Sequence, residues 1–233
     1  MKRDRIVVLG TGTDVGKTYV SCALALALRQ LGHSVLGLKP VESGIVEGKE
    51  MSGDAGNLEK AAGRGAPPLY ALPEPVSPHL AARSAGSQVR IESIAKWVTQ
   101  REQLASSSAS GRRLTLIETA GGAFSPLSTA HTNADLARAL DPALWLLVAP
   151  DSLGVLHDVQ ATARALAPRQ LDAVCLSAAR APDASSGSNA NELEAVTFVQ
   201  LTNACPRSGK VPVVERHSNA TVLAQVVLQL LQN

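Results

Sequence analysis

The sequence predicts an α/β fold with a mostly parallel central sheet flanked by helices on both faces. Three observations carry this. Short, largely apolar runs recur along the chain, at residues 5–9, 34–38, 114–117, 144–148, 171–176 and 211–214. Strands that are apolar throughout, rather than at alternate positions, are expected where both faces of a sheet are covered. Helix-like stretches rich in Ala and Leu lie between several of these runs. Aromatic residues are only 3% of the chain, so the core must come from Ala, Leu and Val, which suits helices packed on β-branched strands.

Taken in order, residues 5–9 (R-I-V-V-L) read as a buried strand followed by a glycine-rich turn. Residues 17–31 form a long Ala/Leu-rich helix stopped by Gly32, a residue favoured after a helix C-terminus. Residues 34–38 make the next strand, so the chain opens with a βαβ unit of the kind that builds parallel sheets. The strand at 114–117 runs into Glu118 and a Gly121-Gly122 turn, and a helix begins near Ala55. Later come a strand at 144–148, a helix at 153–166, a strand at 171–176, a helix at 191–204, a last strand at 211–214 and a closing helix at 220–231. Residues 105–111 and 182–191 are small and polar, and read as mobile surface connections. With 233 residues, no internal repeat and no linker-like stretch, residues 1–233 are expected to form one domain.

Composition excludes several roles. A net charge of +2 without a basic block gives no nucleic-acid footprint. No stretch approaches the roughly 20 apolar residues of a membrane span, and the short apolar run after the N-terminal basic residues is not a secretory signal. Cys22, Cys175 and Cys205 have no metal-ligand spacing, which fits reduced thiols in the cytoplasm. The five histidines are scattered as well.

The residues that carry chemistry begin at Gly10-Thr11-Gly12-Thr13-Asp14-Val15-Gly16-Lys17-Thr18. A glycine-rich turn between strand and helix, ending G-K-T, is a phosphate-binding loop, and it makes the expected fold that of a P-loop NTPase. Its backbone N–H groups form an anion nest and the following helix adds its positive end. Lys17 places a cation on the β- and γ-phosphates and Thr18 offers a hydroxyl to Mg²⁺. Five residues separate Gly10 from Gly16, where the usual motif has four. Loops of this length in partition ATPases carry an early lysine; the position in register is Gly12. Residues 218–233 also contain no Lys or Arg, unlike the basic amphipathic tails of the membrane-bound members. A second lysine, Lys39, ends the second strand on the edge where such sheets bind ligands, so two lysines are expected to flank one anionic pocket.

The set G-T-G-T-D-V-G-K-T (residues 10–18), G-L-K-P-V-E-S-G (37–44), E-P-V-S-P-H (74–79) and E-T-A-G-G (118–122) closely resembles the dethiobiotin synthetase family from residue 6 to about residue 160, and more weakly beyond. That resemblance implies a Mg²⁺- and ATP-dependent ligase that joins CO₂ to 7,8-diaminononanoate, works as a homodimer and has no membrane or nucleic-acid partner. It assigns catalysis to Lys17 and Lys39 and Mg²⁺ to Thr18, Asp54 and Glu118. Nucleotide contacts are expected from Thr13, Asp14, Val15, Gly16, Lys17, Thr18, Tyr19, Asp54, Glu118, Thr119, Ala120 and Gly121, and from the base-side strand at Pro212, Val213 and Val214. Substrate contacts are implied for Ser43, Gly122, Leu153 and Gly154, the last two from across a dimer interface.

The residues depart from the family pattern at three places. Asp14 stands where Glu is usual, and Thr119 replaces a glycine. Ser177 stands in the segment where the family commonly reads the purine with an Asn side chain. An amide offers both a donor and an acceptor to a base edge, a serine one hydroxyl, so weak discrimination among triphosphates is expected. Two other functions fit the motifs: a related P-loop ligase acting on another small amine or acid, and a nucleotide-binding regulator without ligation chemistry. Asp54 could also simply open its helix, since Asp is a preferred N-cap.

Overall fold

The computed structural model describes residues 4–105, 111–196, 213–215 and 220–232. Six strands form one sheet: β1 (Asp4–Gly10), β2 (Ser34–Leu38), β5 (Arg113–Glu118), β6 (Leu144–Asp151), β7 (Ala173–Ala178) and β8 (Val213–Glu215). Their order is β2-β5-β1-β6-β7-β8, and every pairing is parallel. The register sets Ile6 beside Leu116 on one side and Leu144 on the other.

Continuous apolar strands have a simple cause here. Successive side chains point to opposite faces of the sheet, and each face carries its own core. Ile6, Val8, Leu114, Leu116, Leu144 and Leu146 pack with Leu24 and Leu28 of α1 (Lys17–Gln30), Leu58 of α2 (Asp54–Ala62) and Leu223 and Val227 of α8 (Ala220–Leu230). Val7, Leu9, Ile117, Trp145 and Leu147 pack with Ile94 and Val98 of α4 (Ile91–Leu104), Leu136 of α5 (Asn133–Leu140) and Val155 and Val159 of α6 (Val155–Ala165).

Sequence periodicity did not reveal a two-stranded parallel sheet of β3 (Val41–Ser43) and β4 (Tyr70–Leu72), nor α3 (Pro78–Ser84), α4 and α5. Three-residue strands are too short to show a period. Several boundaries also shift, among them that of the strand expected at 144–148, which runs to Asp151. The helix expected from residue 153 begins at Val155, because Gly154 is left-handed and serves as its N-cap. The strand expected at 171–176 is β7, since Asp172 turns its carboxylate back onto the Trp145 N–H. The helix expected at 191–204 starts earlier, as α7 (Asn189–Val196), and its remainder lies outside the described residues. The stretch at 182–191, read as a mobile connection, is instead tied down. Asp151 accepts from the Gly187 N–H and the Asn189 side chain, each at 2.7 Å. Most of the other predicted connection, residues 106–110, lies outside the described residues. Among the described residues no helix is long and apolar enough to cross a membrane.

Because the strands are parallel, the C-terminal ends of β1, β2, β5 and β7 share one edge. That edge receives the phosphate loop, Lys39, Glu118 and Ser177.

Candidate active site

The loop after β1 turns through two left-handed residues, Asp14 and Gly16, with φ of 58° and 90°. Gly16 is the N-cap of α1, and no side chain caps that helix. The first-turn N–H groups are thus left for an anion. Gly122 lies against the loop backbone: a Cβ there would come within 3.2 Å of Gly12 Cα and Thr11 O. Asn133 holds the segment in place by donating to the Ala120 and Gly122 carbonyls at 2.5 and 2.9 Å.

Two buried lysines meet at this edge in different electrostatic settings. Lys17 donates to the Gly12 carbonyl at 2.9 Å. Burial pushes its pKa down to about 8, against the opposing pull of Glu118. Lys39 donates to Asp54 and, at 2.9 Å, to Glu118 Oε1. Burial alone would lower its pKa as well, but the two carboxylates outweigh it and hold the ammonium above its ordinary range. Burial would raise the Asp54 carboxyl, yet Lys39, Thr18 and Lys17 bring it below its usual value.

The Thr18 hydroxyl donates to Glu118 Oε1 at 2.7 Å. Glu118 is fully buried, and its second oxygen, Oε2, has no hydrogen-bond partner among the described residues. An orphaned buried carboxylate oxygen is costly unless another group satisfies it. Thr18, Asp54 and Glu118 are hard oxygen donors, the kind Mg²⁺ takes, and Mg²⁺ uses only one or two carboxylates alongside waters and phosphates. The donor set therefore fits Mg²⁺.

Two joined cavities open on this cluster. One, of about 360 Å³, is lined by Thr13, Asp14, Gly16, Lys17, Thr18, Tyr19, Lys39, Asp54, Glu118, Gly121 and, on the β7 side, Ser177, Ala178 and Arg180. The other, of about 540 Å³, shares Thr13, Asp14, Lys39, Asp54 and Gly121 and extends over Ser43, Ala120 and the Pro75–Pro78 segment. The first is lined by the phosphate loop, and the second opens beyond Lys39 toward Ser43 and the Pro75–Pro78 segment. The Ser43 hydroxyl is buried without a hydrogen-bond partner among the described residues, and Lys39 lines both spaces.

Not every residue singled out from sequence lines these spaces. Thr119 turns its hydroxyl onto the Val8 carbonyl at 2.8 Å and pins β5 to β1, so its side chain faces the sheet. Gly122 supports the phosphate loop from behind. Val15 is buried, and its carbonyl is bonded to Ser177. Leu153 is 83% exposed and, with Gly154, lines neither cavity. Its N–H donates to Asp183 at 2.8 Å. Val213 and Val214 lie on strand β8; Pro212 lies outside the described residues.

Two residues gained a role that sequence reasoning had not given them. Glu42 accepts from the Asp54 and Ala55 N–H groups at 2.6 and 3.0 Å and so sets the start of α2 and the placement of Asp54. Asp54 is the first residue of that helix and Gly53 its N-cap, so Asp54 does not cap. The presence of Glu42 in the 37–44 motif was the only available signal. Arg180 pairs with Asp14 across the rim of the nucleotide cleft at 3.3 Å, a contact between exposed groups that local pattern cannot foresee.

Fold and site together define a P-loop nucleoside-triphosphate-binding protein. The model of the AAA domain family matches residues 4–225. The chain is 34% identical to an ATP-dependent dethiobiotin synthetase of Corynebacterium diphtheriae, covering 84% of this chain and 85% of that one. It is 36% identical to the synthetase of Rhodococcus jostii over 86% and 85%, and 39% identical to that of Anaeromyxobacter dehalogenans over 71% and 72%. Among solved structures, the hydrogenase maturation factor HypB of Archaeoglobus fulgidus shares the fold, with a TM-score of 0.50 at 12% identity over 98% of this chain and 90% of that one. The chain belongs to the ATP-dependent dethiobiotin synthetase family.

Proposed function

We propose that this protein is a dethiobiotin synthetase, a ligase that closes the cyclic urea of dethiobiotin from 7,8-diaminononanoate, CO₂ and ATP. The observation that carries the reading is Lys39, seated between a phosphate cleft and a second chamber and paired with both carboxylates of a Mg²⁺-type donor set.

In this reading one substrate amine adds to CO₂ and loses a proton, giving a carbamate. A carbamate oxygen attacks the γ-phosphorus of ATP, the bond to the bridging oxygen breaks and ADP leaves. The second amine then attacks the carbonyl of the mixed anhydride, forming the second C–N bond as the C–O bond breaks and phosphate departs. Negative charge crowds on phosphates and carbamate throughout, so positioned cations and N–H donors supply most of the catalysis. Lys17 and the loop amides hold the β- and γ-phosphates. Lys39 orients the carbamate toward the γ-phosphate and steadies the charge that develops there. Ser43, with a hydroxyl that lacks a partner among the described residues, binds the substrate in the chamber. Thr18, Asp54 and Glu118 would hold Mg²⁺, which would neutralise charge on the phosphates.

The chain works as one domain and as a homodimer in this reading, with exposed Leu153 and Gly154 reaching the partner's chamber. Base recognition is weak. The Ser177 hydroxyl donates to the Val15 and Ala149 carbonyls at 2.5 and 3.4 Å, which leaves it no proton for a base. Dethiobiotin formation from diaminononanoate, bicarbonate and Mg²⁺, measured with ATP, CTP and GTP, tests both points. Nucleotide binding without product rejects the synthetase reading, and strict preference for ATP rejects weak base recognition.

A further inference from the structure

Ser177 is 2% exposed and stands at the C-terminal end of β7, opposite Pro150 of β6. Its Oγ donates to the Val15 carbonyl, 162 residues away in sequence, at 2.5 Å. In a trans peptide the C=O and the following N–H point in opposite directions. A Val15 carbonyl turned toward Ser177 therefore turns the Gly16 N–H away from β7. Gly16 itself is left-handed, with φ of 90°, and glycine tolerates either orientation of the peptide that precedes it. The contact is close: a Cβ on Gly16 would come within 2.8 Å of Ser177 Oγ. Position 177 thus accepts a small side chain, and an amide there would press on the loop.

We propose that Ser177 is a positioning residue for the triphosphate. Its hydroxyl fixes the Val15–Gly16 peptide so that the Gly16 N–H faces the phosphates, and the side chain serves the phosphate loop rather than the base. The inference rests on the reading of this cleft as a triphosphate site. It assigns the Ser177 hydroxyl to phosphate affinity, and it predicts that losing this hydroxyl leaves base preference unchanged.

The test measures binding of inorganic tripolyphosphate, ATP, CTP, GTP and adenosine to the full-length wild type and to S177A, S177T and S177N, with thermal unfolding of each. One neutral hydrogen bond is worth roughly 1 kcal/mol, or about fivefold in affinity. S177A should bind tripolyphosphate and all three nucleotides about fivefold more weakly, in the same proportion, with adenosine binding unchanged. S177T, which keeps the hydroxyl, should regain tripolyphosphate affinity. S177N should weaken tripolyphosphate binding, because the longer amide presses on the loop. Wild-type affinity for tripolyphosphate in S177A overturns the proposal, as does a loss confined to one base or equal for adenosine. A wild type that binds neither ATP nor tripolyphosphate overturns the triphosphate reading as well, so the two failures are distinct.

Discussion

Raising the pH across the titration of Lys17 should weaken nucleotide binding. The ammonium is buried beside the Gly12 carbonyl, and its pKa falls from 10.5 to about 8. That fall corresponds to about 3 kcal/mol by which the ligand-free cleft disfavours the charged form, at about 1.36 kcal/mol per pH unit. A bound polyphosphate returns the favourable charge, so the proton is held in the complex to higher pH than in the free protein. Affinity is then constant well below pH 8 and declines above it, by about tenfold between pH 7 and pH 9, with uptake of roughly one proton per nucleotide at the upper end. Calorimetry with ADP in two buffers of different ionisation enthalpy reads both quantities, and K17M should abolish the dependence. Binding that is flat from pH 7 to 9.5 without proton uptake refutes the argument. The same group affects the ligand-free protein. Between pH 8 and 10.5 the unfolded chain binds the proton more tightly than the fold, so the Lys17 contribution makes stability rise with pH. Below pH 8 both states hold the proton and the full penalty persists.

Replacing Lys39 by Met leaves Glu118 and Asp54 without their cation. Removing one partner of a buried pair costs about 3–5 kcal/mol, less here because the Asp54 side chain is 44% exposed; thermal unfolding should fall and turnover should drop by about 10²-fold or more, and a variant that keeps full activity removes Lys39 from the mechanism. Glu118→Gln should raise the Mg²⁺ concentration needed for half-maximal turnover by about tenfold or more, because a hard cation loses a charged ligand; Mn²⁺ binding in the presence of nucleotide, followed by electron paramagnetic resonance, checks it, and unchanged binding rejects Glu118 as a ligand. Gly16→Ala forces a side chain into the left-handed region at a cost of about 1–2 kcal/mol and drives its Cβ into Ser177 Oγ, so nucleotide affinity should fall while diaminononanoate binding persists; equal nucleotide affinity would show that the loop can relax.

The departures from the family pattern differ in consequence once side chains are placed. Thr119 replaces a glycine, yet its hydroxyl faces the Val8 carbonyl and the substitution acts on the strand pairing. Asp14 takes a left-handed backbone and an exposed partner in Arg180. An exposed ion pair contributes little to stability, so Asp14 is readily available to a ligand at the rim. Ser177 is the change with reach, because it touches the phosphate loop directly.

The class of sheet and the phosphate loop were legible in the sequence because both are local. A strand buried on two faces is apolar at successive positions, and residues 6–9 and 144–148 are. A loop that wraps an anion needs Gly, Lys and Thr within nine consecutive residues. Lys39 was legible as a ligand-edge residue because it follows a strand, though nothing local gave its partners. Those are Asp54, 15 residues on, and Glu118, 79 residues on; Glu118 meets Lys39 because parallel register delivers β2 and β5 to the same edge, and Asp54 because Glu42 holds the start of α2 there. The roles of Glu42 under Asp54, Thr119 against Val8 and Ser177 against Val15 were decided in the same way. Backbone conformation follows from neighbours along the chain, but where a side chain spends its hydrogen bond depends on which distant strand ends beside it. The sequence by itself determined that this chain folds around a phosphate loop. Tertiary packing alone decided which lysine is tied to the carboxylates, which to the Gly12 carbonyl, and that Ser177 donates to the phosphate loop.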